Sequence, residues 1–104
     1  MAKYVFVYHG GTMPENVSEE EMGKVMAAWE AWYGELGESI VDGGNPFGQT
    51  RNITTEGVSG ANDSPASGYT IITASDIDDA AAKAKGCPIL DAGGSVEVAE
   101  TIDM

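Results

Sequence analysis

The succession of hydrophobic patterns along this sequence predicts an α+β fold of ferredoxin-like βαββαβ order, an antiparallel four-stranded sheet carrying its helices on one face. Three observations carry the prediction. A β-rich run near the start is followed by an amphipathic helix bearing both tryptophans. A second run of β-formers is followed by a short alanine-rich helix, and an alternating segment closes the chain.

The first strand is Lys3 to His9, aromatic and β-branched throughout, and it stops at Gly10-Gly11. Alternation sends Tyr4, Phe6 and Tyr8 to one side and Val5, Val7 and His9 to the other. Ser18 followed by Glu19, Glu20 and Glu21 has the form of a capping box, with acidic residues at the positive end of the helix dipole. From there Met22, Val25, Met26, Trp29, Trp32, Tyr33 and Leu36 fall within a wedge of about 120° at ~100° per residue. That stripe predicts a helix buried along one face and ending at Gly37.

Ser39 to Asp42 opens a second strand, interrupted at Gly43-Gly44-Asn45-Pro46 and resumed near Arg51 to Thr55. The stretch from Glu56 to Ser67 has turn chemistry and reads as a surface loop. Gly68 to Ala74 is the third strand. The second helix begins at Ser75-Asp76, turns Ile77, Ala80, Ala81 and Ala84 to one side, and ends at Gly86-Cys87-Pro88. Ser95 to Glu100 alternates as the fourth strand. Sheet order 4-1-3-2 follows, with strands one and three expected parallel and two and four running against them.

Composition bounds the function. A chain of 104 residues has room for one domain, residues 1–104, and one core. Seventeen acidic residues against five scattered basic ones give a net charge of -12, which repels nucleic-acid backbones and anionic lipid surfaces. No stretch approaches the ~18 apolar residues of a membrane span. A lone cysteine, Cys87, and no export-signal pattern point to a cytoplasmic protein. Because both faces of the first strand are apolar, a sheet covered by helices on one side needs a second cover. A homodimer packed sheet to sheet is the simplest one.

Several short features together resemble the YciI-related family, in the branch named for a DGPF motif. They are the glycine-rich loop after the first strand, the aromatic helix, Val41-Asp42-Gly43-Gly44, Ser67-Gly68-Tyr69, Gly86-Cys87-Pro88, and Gly93-Gly94-Ser95-Val96-Glu97-Val98. The resemblance spans almost the whole chain. It implies a dimeric α+β barrel with a small-molecule pocket and possible enzymatic activity. Two departures stand out. Asp63-Ser64-Pro65-Ala66 keeps only the aspartate and proline of the naming motif. The family's histidine in the first helix and aspartate late in the second have no counterpart, so that dyad does not carry over.

Candidate chemistry centres on the end of the first strand. His9 is the only histidine and the natural general acid or base. The predicted topology puts Ser95 one strand from it and Asp42 two strands away at the same rim, with Asp42 placed to orient the imidazole. The plainer reading of a lone strand-end histidine is structural. Asn45, Tyr69 and Ser95 are candidate ligand contacts, Ser95 being a poor nucleophile without an elbow or triad. Gly10-Gly11 and Gly43-Gly44 would admit an anion to backbone N–H groups, or simply turn the chain. Trp29 and Trp32 read as core, and Cys87 as packed.

No metal is expected, because one histidine and one cysteine far apart make no cluster, and Asp76, Asp78 and Asp79 compensate a helix dipole. No cofactor is implied. Three functions fit: a small-molecule-binding homodimer with acid-base catalysis by His9, a non-catalytic binding or interaction module, and an oxygenase-like barrel enzyme using His9, Trp29 and Asn45.

Overall fold

A computed structural model describes residues 2–10, 18–59 and 65–102. The chain folds as a ferredoxin-like α+β domain: β1 (Ala2–His9), α1 (Glu19–Leu36), β2 (Ile40–Asp42), β3 (Asn52–Thr54), β4 (Gly57–Ser59), β5 (Ala66–Ala74), α2 (Ile77–Ala84) and β6 (Ser95–Glu100). The main sheet has the order β2-β5-β1-β6. This is the expected order, but the strand directions differ from expectation. β1 pairs antiparallel with both β5 and β6, and β2 pairs antiparallel with β5. A helical crossover returns the chain in its starting direction, so β1 runs with β2, and the strand inserted between them opposes both.

The region after β2 also departs from expectation. Residues 52–54 do not resume the second strand but pair with 57–59 as a separate hairpin, with Ile53 facing Val58 across it. Both side chains are about 70% exposed, at 69% and 70%. β5 begins at Ala66, so the expected loop to Ser67 is strand at both its ends. Asp63 and Ser64 of the degenerate motif, and Gly11, lie outside the described residues.

Both helices start as their sequences predict. The Ser18 hydroxyl accepts from the Glu21 N–H at 3.2 Å, and Asp76 caps α2 by accepting from Asp79 N–H at 2.7 Å. Asp79 in turn takes a 2.8 Å bond from Lys83 and another from Ser75. These bonds hold its carboxyl below the ordinary range. The aspartates at this helix start thus serve capping and pairing.

The core lies between the sheet and the helices. Tyr4, Phe6 and Tyr8 of β1 and Thr70, Ile72 and Ala74 of β5 meet Trp32 and Leu36 of α1, Ala80 and Ala84 of α2, and Cys87 and Ile89 beyond it. Ile77 and Ala81 are exposed, so the buried face of α2 is narrower than its pattern suggests. Trp32 is the joint. Its ring stacks on Phe6 at 5.9 Å, and its indole N–H donates to the Lys83 carbonyl at 3.0 Å. Cys87 is packed here, and burial pushes its thiol up to about 11.

The stripe on α1 is buried only over its C-terminal half. Trp32 and Leu36 are buried, whereas Met22 and Met26 are exposed, Met26 at 58%. Periodicity gives the direction of the apolar face, but burial requires an opposing surface. Over the first turns of α1 the described residues leave a cleft instead.

Candidate binding cleft

The cleft lies between the N-terminal half of α1, the sheet rim and the turn after Cys87, with a volume of about 1030 Å³. Tyr8, Met26, Trp29 and Tyr33 form its apolar wall, and Gly43 to Pro46, Ser67 to Tyr69, and Pro88, Ile89, Asp91 and Ala92 border it. Trp29 is edge-on to Tyr8 at 5.3 Å and to Trp32 at 5.7 Å, and it lies 6.0 Å from Tyr33. Trp29 is therefore partly buried against the core and partly presented to the cleft, unlike Trp32. The sequence reading that assigned both to the core holds for Trp32 alone.

Beneath the wall lies a polar knot. Thr70 is fully buried; its Oγ1 accepts from the Tyr8 hydroxyl at 2.7 Å and donates to the Gly43 carbonyl at 3.1 Å. The Tyr33 hydroxyl stands 3.4 Å from both Thr70 Oγ1 and the Gly43 carbonyl. Burial pushes the Tyr8 phenol far above its ordinary value, so it stays a neutral donor.

The edge that holds Gly43 is built by the residues after β2. Asp42 Oδ1 accepts from Gly44 N–H at 2.8 Å, which bends the chain, and Pro46 bridges to Gly68. The N–H of Tyr69 donates to the Asn45 carbonyl and that of Phe47 to the Ser67 carbonyl. The interrupted second strand thus continues as an irregular edge beside β5.

Of the residues singled out from sequence, Asn45 and Tyr69 line the cleft. The Tyr69 ring follows the pleat to the opposite face, where it packs on Phe47 at 5.8 Å and its hydroxyl lies 3.4 Å from Asp42 Oδ2. His9 and Ser95 are cross-strand partners. His9 also sits on the open face, with Nε2 3.0 Å from Glu97 Oε1.

Asp42 does not reach His9. It pairs with Ile71 whereas His9 pairs with Ala66, which separates them along β5 by roughly 16 Å at ~3.3 Å per residue. The expected orienting contact fails because Asp42 lies well short of the rim where β1 ends. Nor are His9, Trp29 and Asn45 brought together, since the sheet separates His9 from Trp29. Tyr33 and Thr70 were not singled out from sequence.

No protein-family model and no curated protein matches the chain. Among solved structures it is similar to 5-chloro-2-hydroxyhydroquinone dehydrochlorinase (TftG) of Burkholderia phenoliruptrix, determined in complex with 2,5-dihydroxybenzoquinone. The TM-score is 0.53 at 19% identity, covering 96% of this chain and 95% of that one. The likeness is one of fold, over essentially the full length of both chains. No helix among the described residues is long and apolar enough to cross a membrane.

Proposed function

We propose that this chain is a small-molecule-binding protein of the YciI-related kind, acting as a homodimer and taking a planar, largely apolar ligand in the cleft beside α1. The uncovered aromatic wall carries the reading. Met26 and Trp29 occupy stripe positions that the fold could have buried, yet they face a cavity of about 1030 Å³, a little above the ~300–1,000 Å³ common for ligand sites. The dehydrochlorinase of the same fold was captured with a planar quinone, which supports this choice of ligand shape.

Among the described residues lining the cleft there is no imidazole or thiol, and Tyr8 is held neutral. Tryptophan fluorescence titrated with a panel of planar aromatic compounds tests the reading. Trp29→Ala should weaken the best binder at least ~10-fold, the scale of a buried aromatic anchor, with the melt confirming that the variant is folded. His9→Ala should leave affinity unchanged. Unaltered affinity in Trp29→Ala would rule the cleft out.

A second reading rests on the His9–Glu97 pair. Packed between two sheets it would be a shielded imidazole-carboxylate couple suited to proton transfer. Loss of ligand turnover in His9→Ala, with binding intact, would favour it.

The dimer is proposed from the open face, where Val5, Val7 and Ile71 remain only half-covered beside His9 and Tyr69. Light scattering at micromolar concentration should give about twice the 10.8 kDa chain mass. A monomer under those conditions would rule out the sheet-to-sheet pairing.

A further inference from the structure

The polar knot under the cleft has one loosely engaged proton. The hydroxyls of Tyr8 and Thr70 are buried and satisfied in series at 2.7 and 3.1 Å, ending on the Gly43 carbonyl. Tyr33 lies beside the same two acceptors, but at 3.4 Å from each, the long limit of a hydrogen bond whose ordinary O–H···O distance is ~2.7–2.8 Å. Its ring lines the cleft and is only half-buried. Turning that proton toward a ligand gives up little, whereas Tyr8 and Thr70 would each break a good buried bond to do so.

The charged residues around the cleft narrow the choice further. Among the described residues lining it, Glu21, Glu30 and Asp91 stand against one cation, Lys24, whose ammonium is 3.9 Å from Glu20, on a chain of net charge -12. An anion is repelled there, and a full charge of either sign loses hydration against the Tyr8, Trp29 and Tyr33 wall.

We propose that the cleft selects uncharged planar ligands bearing a hydrogen-bond acceptor, and that the Tyr33 hydroxyl donates to that acceptor. This rests on the cleft being the binding site. Naphthalene and quinoline test it, since they share one shape and differ by a ring nitrogen that is unprotonated in mildly alkaline buffer.

By tryptophan quenching, the wild type should bind quinoline about three- to tenfold more tightly than naphthalene, the range of one neutral hydrogen bond. Tyr33→Phe should erase that preference while leaving naphthalene affinity and melting behaviour nearly unchanged. The anion 2-naphthoate should bind more weakly than quinoline. A preference for quinoline that survives in Tyr33→Phe, equal binding of the two neutral probes by the wild type, or tightest binding of 2-naphthoate would overturn the assignment. If no probe binds, or if Trp29→Ala changes none of the affinities, the cleft itself is refuted as the site.

Discussion

Trp32→Ala should unfold this protein more readily than any other single truncation in its core, with a loss of about 3–5 kcal/mol of stability. The indole fills the space between β1, α1 and α2, and is 3% exposed. Phe6 stacks on one side of it, Trp29, Tyr33 and Tyr8 surround it, and a Cβ placed on Gly86 would lie 3.0 Å from its Cδ1. A void there would be lined by aromatic rings and backbone that cannot collapse onto it.

The polar edge of the indole adds a second contribution. The Lys83 carbonyl belongs to the last turn of α2, where carbonyls lack helical partners, and the Trp32 N–H supplies one. Trp32→Phe isolates this effect, since it keeps much of the ring and removes the donor. It should cost about 1–3 kcal/mol. Set against the ~5–15 kcal/mol typical of whole domains, the alanine variant should melt at least ~12 °C lower, taking ~4 °C per kcal/mol. A melting point within a few degrees of wild type would show that Trp32 is not the joint described.

The elements of the fold were legible in the sequence wherever local chemistry decides structure. Ser18 and Glu21, Asp76 and Asp79, and the alternation in β1 each act within a few residues, and each is found as expected. The strand directions were legible too, since a right-handed crossover makes β1 and β2 parallel, but the expectation did not follow that rule. The hairpin at 52–59 was hidden because its turn is Thr55-Glu56, without the Asn-Gly or Asp-Gly that announces a two-residue turn.

The site was less legible, for a physical reason. Met26, Trp29 and Trp32 share one stripe, and periodicity cannot tell a residue facing the core from one facing a cavity. Asn45 and Tyr69 were singled out, but the knot of Tyr8, Tyr33, Gly43 and Thr70 joins residues from separate elements and exists only once the sheet has formed. His9 drew attention by its chemistry alone, and its partner Glu97 is a diagonal neighbour across a strand pair.

Gly44→Ala should damage fold and cleft together, while Gly43→Ala, one residue away, should do little. Gly44 has φ +75, and a Cβ there would lie 1.6 Å from the Tyr69 carbonyl oxygen and 2.6 Å from its carbon. Both obstacles are backbone of a central strand, so the edge carrying residues 43 to 46 must move away from β5. That movement withdraws the Gly43 carbonyl from Thr70 and Tyr33, and the Asn45 carbonyl from the Tyr69 N–H.

A non-glycine residue held at such a φ costs about 1–3 kcal/mol, and stranding the buried Thr70 hydroxyl about 1–3 more. A Cβ on Gly43, by contrast, would meet no atom within 4 Å, and the φ there is negative, so its alanine variant should stay within about 0.5 kcal/mol of wild type. Thermal melts of the pair measure the difference, and ligand titration of each shows whether the cleft follows the edge. Because Gly43 to Pro46 line the cleft, folded Gly44→Ala protein should bind planar probes less tightly. Equal stability of the two variants would mean that the edge is not pinned to β5 at Gly44.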